Sequence, residues 1–165
     1  PPAMVLLGVR GGTELRLSAY EAVRAIVDHI VLAASGHEAH EGRATLFLLA
    51  SKSGTLRPVR AKLRPITRAR AAAWLSALAS DLAAGPPSYF FPVALAMRLL
   101  RHGGDPEGQS RSVRTDTIRQ SRSGEGVPEL VPGVHQLPAP SRDEVGRLME
   151  RRYALLDDLW EGPPW

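Results

Sequence analysis

The chain has 165 residues and a formal net charge of +4, and 44% of its residues are hydrophobic. These values fit one globular domain, residues 1–165, with a single packed core. No apolar run approaches the roughly 20 residues that span a bilayer, so we expect no membrane segment. The chain has no cysteine, which excludes a disulfide scaffold, a zinc ribbon and an iron–sulfur cluster and is compatible with a cytoplasmic protein.

Arginine supplies 19 of the 21 cationic side chains, and the other two are Lys52 and Lys62. The planar guanidinium suits contact with phosphate, which would favour a nucleic-acid partner. A GC-rich genome would produce the same excess of arginine through its codons. The excess of arginine therefore supports nucleic-acid binding only where several cations lie together on one surface.

The amino-terminal residues predict a strand, a turn, a second strand and a helix. Residues 4–9 are apolar, Gly11-Gly12 offers a turn, and residues 15–17 alternate. The sequence from Ser18 to Glu21 forms a capping box, and the apolar stripe behind it predicts a helix that Gly36 ends. The first four residues, Pro1 to Met4, lack the features of a signal peptide. A native protein rarely starts with such residues, so we expect a fragment of a larger chain.

A hairpin is predicted next, from residues 45–50 and 56–63 with a turn at Ser53-Gly54. Its return strand alternates, with apolar side chains on one side and three cations, Arg60, Lys62 and Arg64, on the other. Pro58 cannot donate to a ladder, which predicts a sheet edge. The three cations either contact a DNA backbone or protect the edge from aggregation.

Helices and a long polar segment follow. Thr67 is placed to cap a helix with an apolar stripe, and a shorter helix is predicted at 93–101. Residues 103–140 are rich in Gly, Pro, Ser and Arg and predict a flexible or loop-rich arm. Its cations either contact DNA or belong to a disordered linker; they are Arg111, Arg114, Arg119 and Arg122. A second capping box, Ser141 to Glu144, predicts a closing helix.

The residues predict no catalytic site. A restriction-type nuclease needs an Asp/Glu-X-Lys triplet, in which carboxylates hold magnesium and the lysine steadies the attacking water. Lys52 and Lys62 are preceded two positions earlier by Ala50 and Arg60, so neither triplet is acidic. His37 and His40 fall in a polar loop and His29 lies beside an apolar stripe, which predicts no metal. We therefore expect no cofactor and no enzyme activity in this domain alone.

The order of four segments resembles the C-terminal domain of the RecC family, the gamma subunit of bacterial exodeoxyribonuclease V. The segments are AVRAIVDHIVLAASG at 22–36, ATLFLLASKSGTLRPV at 44–59, ARAAAWLSALASDLAAGPPSYFFP at 69–92 and SGEGVPELV at 123–131. An amphipathic helix then closes the chain, as it does in that family. After Gly126 the chain departs from the family's acidic and aromatic pattern.

The resemblance implies an α+β fold: a small mixed sheet flanked by helices, in a degenerate, inactive restriction-nuclease-like core. It implies a non-catalytic scaffold and DNA-path domain of a RecBCD-type helicase–nuclease complex in double-strand break repair and recombination. The implied partners are RecB-like and RecD-like subunits, a double-stranded DNA end and its separated strands. Two alternatives stay open, a stand-alone basic nucleic-acid-binding module and a nuclease with an atypical site.

Overall fold

A computed structural model of the protein describes residues 3–9, 19–50, 56–84, 89, 91–102, 104–111, 113 and 137–161. The elements in chain order are β1 (Ala3–Val9), α1 (Ala19–Ala34), β2 (Arg43–Ala50), β3 (Leu56–Leu63), α2 (Arg68–Ala83), α3 (Val93–His102), α4 (Arg142–Leu148), a π-helical turn (Met149–Tyr153), α5 (Ala154–Leu159) and β4 (Trp160–Glu161). The described part of the chain contains no helix long and apolar enough to cross a membrane.

The chain divides into two compact units, and the prediction of one domain over residues 1–165 stays a prediction. Unit 1 comprises Pro1–Ala83 and Ala154–Trp165, and unit 2 comprises Ala84–Tyr153. Unit 1 holds a four-stranded sheet in the order β1-β2-β3-β4. β1 runs parallel to β2, while the β2–β3 and β3–β4 pairs are antiparallel. The predicted α+β class, with a small mixed sheet and helices, is confirmed.

Helix α1 ends as the sequence predicts, at a glycine in the left-handed region. Gly36 has φ +95°, its N–H donates to the Ala33 carbonyl at 3.0 Å, and the His37 N–H donates to the Leu32 carbonyl at 2.8 Å. These two bonds form a Schellman motif, which satisfies carbonyls that the helix itself leaves open. The apolar stripe of α1 is fully buried at Ala22, Ala25, Ile26, Ile30 and Ala33.

The two central strands separate a buried face of the sheet from a more open one. Thr45, Phe47 and Leu49 of β2 and Ala61 and Leu63 of β3 are buried, as the period of two in a strand requires. On the opposite face, the β2 side chains are half-buried and the β3 side chains are exposed; they are Ala44, Leu46, Leu48, Leu56, Pro58, Arg60 and Lys62.

Strand β3 is an edge strand over most of its length but not at its end. β4 pairs only with Lys62 and Leu63, so among the described strands residues 56–61 pair on the β2 side alone. The Arg64 N–H donates across this ladder to the Leu159 carbonyl at 2.8 Å. Alternate residues of a strand direct their N–H and C=O groups to the same side. Pro58 and Arg64 are an even number of residues apart, so an N–H at position 58 would also point away from β2, to the open side.

Unit 2 has its own apolar core. Leu95, Leu99, Val113 and Val145 are buried in it, with Phe91, Leu137 and Met149 packed against them. The rings of Phe91 and Tyr153 lie 5.8 Å apart in an edge-to-face arrangement, which adds Tyr153 to the residues that Phe91 contacts in unit 2. The predicted helix at 93–101 is confirmed as α3.

The capping box at the start of α4 is also confirmed. The Glu144 N–H donates to the Ser141 hydroxyl at 3.3 Å, and the Ser141 N–H donates to the Glu144 carboxylate at 2.8 Å. The Ser141 hydroxyl also donates to the Glu144 carboxylate at 2.8 Å. These two bonds that Ser141 donates to the carboxylate lower the pKa of Glu144, because they favour its charged form.

Part of the segment expected to be a loop-rich arm is folded. Residues 106–111 are helical, Ser110 is 1% exposed and Val113 is 3% exposed. Composition misses this piece because a single well-placed valine is enough to anchor a short helix to an existing core. The predicted cations Arg114, Arg119 and Arg122 lie outside the described residues, as do the Gly11-Gly12 turn, the strand at 15–17, Ser18 and the Ser53-Gly54 turn.

Candidate nucleic-acid interface

Two of the predicted DNA-contacting cations stand together on the exposed face of β3. Arg60 and Lys62 are two residues apart in the strand, which separates their attachment points by about 7 Å, and both are exposed. No ion pair joins either one to another residue in the described part of the chain. Their charges are therefore available to an external anion.

Arg64, the third predicted cation of this row, has a different environment. Its guanidinium lies 2.8 Å from a Glu161 carboxylate oxygen and 3.5 Å from an Asp158 oxygen. The hydrogen bond to Glu161 raises the pKa of Arg64 above its ordinary value. Arg70 of α2 lies 2.9 Å from the same Asp158. Arg64 thus attaches the end of the chain to unit 1, and the structure groups only Arg60 with Lys62.

An open groove of about 820 Å³ lies beside these two cations. Its lining residues come from the loop before β2, from β2, from β3 and the residues just after it, and from β4; they are Glu41, Gly42, Ala44, Arg60, Ala61, Lys62, Pro65 and Glu161. Gly42 has φ +81°, and a Cβ there would overlap the Leu63 carbonyl oxygen. Glycine therefore allows the loop to approach β3 closely enough for Glu41 to share a groove with Lys62.

No pattern in the sequence indicated Glu41 or Glu161 as DNA-contacting residues. Glu161 reaches the groove because β4 pairs Glu161 with Lys62, although the two are 99 positions apart in the printed sequence. Glu41 reaches it through the turn at Gly42. The only local signal was the Glu-Gly pair at 41–42, which is too common to indicate a site.

A buried polar network supports the end of β3. His29 of α1 and Arg43 of β2 are 0% and 7% exposed. The Arg43 Nε donates to His29 Nδ1 at 3.3 Å, and Arg43 Nη2 donates to the His37 carbonyl at 3.0 Å. Since arginine only donates, His29 Nδ1 accepts and its Nε2–H donates to the Arg64 carbonyl at 2.9 Å.

This arrangement fixes His29 in its neutral form. Burial lowers the pKa of His29, and the nearby positive charge of Arg43 adds to that effect, while the hydrogen bond to the Arg64 carbonyl opposes it. His29 is thus a buried histidine of α1 with both ring nitrogens hydrogen-bonded. Among the described residues, no group of three or more His, Asp or Glu side chains could hold a metal ion.

The remaining predicted site residue within the described ranges is Arg111 of unit 2. It is 81% exposed, and its guanidinium lies 3.7 Å from the Glu107 carboxylate one helical turn earlier. An ion pair between two such exposed side chains contributes little to stability. Arg111 therefore remains accessible to an anion, while its carboxylate neighbour weakens the local positive potential.

Comparison with known protein families, with curated proteins and with solved structures found no match for this chain.

Proposed function

We propose that this chain is a non-catalytic scaffold and DNA-path domain of a RecBCD-type ATP-dependent helicase–nuclease complex. The observation that carries the proposal is the exposed Arg60 and Lys62 pair on the rim of an open groove. A pair of cations on one strand face matches the negative charges of a nucleic-acid backbone. The resemblance of four ordered segments to the C-terminal domain of the RecC family supplies the identity of the complex.

The absence of an acidic residue before either lysine supports a nuclease-like core that has lost catalysis. Lys62 follows Arg60 and Ala61 on β3, where an active restriction-type enzyme would carry a metal-binding carboxylate two residues before the lysine. An arginine in place of that carboxylate removes a group that binds a metal cation and adds a group that binds phosphate. The same strand position would then serve DNA contact without cleavage.

Exposed apolar side chains on the helices support a partner-binding role. Val31 of α1 is 47% exposed and Leu82 of α2 is 75% exposed. In a cytoplasmic assembly these helices would contact RecB-like or RecD-like subunits, while the groove faces the double-stranded end or the separated strands. A stand-alone basic nucleic-acid-binding module is the alternative that uses the same cations without partners.

The atypical-nuclease alternative draws on one feature of the groove, which places Lys62 near two carboxylates, Glu41 and Glu161. One oxygen of Glu161 is held by Arg64 at 2.8 Å, and a guanidinium so close opposes the binding of a divalent cation by that carboxylate. The remaining ligands are too few for the oxygen-rich shell that magnesium prefers. This chemistry favours binding over cleavage.

The salt dependence of DNA binding tests the proposal. The double variant Arg60→Ser/Lys62→Ser should weaken binding evenly across sequences and reduce the slope of log K against log salt by about two units, one per lost phosphate contact. Arg24→Ser, which removes an exposed cation of α1 that does not line the groove, serves as the matched control and should leave that slope nearly unchanged. A double variant with the wild-type slope would refute the proposed DNA path.

A further inference from the structure

We infer that the groove beside Arg60 and Lys62 binds single-stranded DNA and prefers bases with an exocyclic amino group, which Glu41 recognises. This inference rests on the proposed function and adds the form of the DNA and the basis of its selectivity. The relevant residues come from three separate stretches of the chain, 41–44, 60–65 and 161, which meet only in the folded unit 1.

The position of the cations favours an unpaired strand. Arg60 and Lys62 lie in one row along β3, so they follow a single line of successive phosphates. A strand held along that row has its bases next to the groove. Bases can turn into such a cavity only when they are unpaired, because pairing through the Watson–Crick edges and stacking of the faces hold a paired base inside the duplex.

The floor of the groove leaves room for a base. The lining residues near the cations are small or ring-shaped, namely Gly42, Ala44 and Pro65. The described lining contains no aromatic side chain, so the stacking that most single-strand-binding proteins use is not available from these residues. Recognition here has to depend on hydrogen bonds to base edges.

Glu41 is the group that supplies this recognition. No hydrogen bond or ion pair joins its carboxylate to another residue in the described ranges, whereas an oxygen of Glu161 is bound by Arg64 at 2.8 Å. A carboxylate accepts hydrogen bonds and donates none. It can therefore accept from the amino group of cytosine, whereas thymine presents a carbonyl oxygen at the same position.

Base recognition also accounts for the presence of a carboxylate in a groove that binds an anionic polymer. Glu41 repels phosphate and lowers the general affinity for DNA. This loss of affinity is offset only when a base amino group donates a hydrogen bond to the carboxylate. Glu41 thus contributes discrimination between bases, while Arg60 and Lys62 contribute the attraction that is common to all sequences.

The test is fluorescence anisotropy of the full chain with labelled oligo-dC and oligo-dT of about 12 nucleotides, a length within the site sizes of small single-strand-binding domains. We expect at least about fivefold tighter binding of oligo-dC, since one correct base-edge contact discriminates by about 1–3 kcal/mol. Glu41→Gln, whose amide can both donate and accept, should strengthen binding to both oligonucleotides and remove most of this preference. Glu150→Gln, an exposed residue of unit 2, should leave the preference unchanged.

The outcomes separate this inference from the proposed function. Equal binding of oligo-dC and oligo-dT, or an unchanged ratio in Glu41→Gln, would overturn the base selectivity while leaving the DNA path intact. A matching duplex bound as tightly as the single strands would overturn the single-strand preference. If Arg60→Ser/Lys62→Ser binds every oligonucleotide as the wild type does, or the wild type binds none, both the inference and the proposed function fail.

Discussion

Arg60 and Arg64 have the same side chain and stand four positions apart, but they have different neighbours. Arg60 is exposed on the groove, whereas Arg64 connects β3 to Asp158 and Glu161 near the end of the chain. The backbone of Arg64 is also bonded on both sides, to Leu159 and to His29. The residue type alone thus does not decide which arginine contacts a ligand.

Arg64→Ser should lower the thermal unfolding midpoint, whereas Arg60→Ser should not change it. Arg64→Ser removes two of the three ion pairs that hold residues 158–161 and leaves the Arg70–Asp158 pair, whereas Arg60→Ser removes no ion pair recorded in the described ranges. Differential scanning calorimetry of the two single variants measures this difference. Equal midpoints would contradict the assignment of Arg64 to structure.

The buried His29 predicts a loss of stability in mild acid. Its folded-state pKa is lowered, so the unfolded chain takes up a proton before the folded chain does. The contribution of His29 to stability is therefore fully present above the ordinary pKa of 6.5. This contribution decreases as the pH falls from there through the lowered folded-state pKa. Urea unfolding at a series of pH values should show this decrease.

His29→Gln should flatten that pH dependence and should cost about 1–3 kcal/mol at neutral pH, since a differently shaped amide has to replace an imidazole that bonds both Arg43 and the Arg64 carbonyl. His40→Gln changes an exposed histidine and is the matched control. If His29→Gln keeps the wild-type slope between mild acid and neutral pH, another group causes the dependence.

At the scale of single elements, the start of α4 depends on one hydroxyl. Ser141 accepts from the Glu144 N–H, and its own N–H is bonded by the Glu144 side chain. Ser141→Ala removes the cap and should destabilise the protein by about 1 kcal/mol, within a range of 0.5–2. Urea denaturation measures the change, with Ser80→Ala, an exposed serine inside α2, as the control that should not be destabilised.

The open side of β3 is protected from pairing with another chain by Pro58, which has no backbone N–H to donate. Pro58→Thr would provide an N–H on the side of the strand that β4 does not reach, and unpaired donors on an edge strand favour pairing with another chain. We expect increased self-association at high concentration, which sedimentation velocity would detect. Monomeric behaviour identical to the wild type would mean that another feature protects this edge.

For the whole molecule, the clearest expectation concerns catalysis. Neither lysine follows an acidic-X step, so the purified chain should not cleave linear DNA with magnesium or manganese. Gel assays over long incubations measure this, with Lys62→Ala as a control for contaminating nuclease, whose activity would be unaffected by the substitution. Metal-dependent cleavage that Lys62→Ala abolishes would favour the atypical-nuclease alternative.

The division into two units separates the two sets of predicted cations. Arg60 and Lys62 belong to unit 1, while Arg111 belongs to unit 2. Unit 1 is completed by residues far apart in the chain, because α5 and β4 return to it after unit 2. The ring of Trp160 in β4 lies 6.1 Å from that of Phe47 in β2, so the end of the chain takes part in the packing of unit 1.

Local patterns determined most of the helices and strands. Capping by Ser141 and Thr67, the glycine stop at Gly36 and the alternation in β3 depend on neighbours within a few residues, and the structure confirms each of them. The apolar stripe predicted for α2 is only partly buried, with Ala71 as its one buried member and Leu82 exposed. Periodicity indicates a face but cannot tell how much of it another element covers.

Tertiary pairing decided the candidate site. The sequence placed Arg60, Lys62 and Arg64 on one side of a strand, because side-chain direction alternates locally. Only the return of the chain through α5 and β4 brought Asp158 and Glu161 to Arg64 and left Arg60 and Lys62 beside a groove with Glu41. Charge neutralisation acts through space over a few ångströms, so which cations remain available depends on contacts between residues distant in sequence.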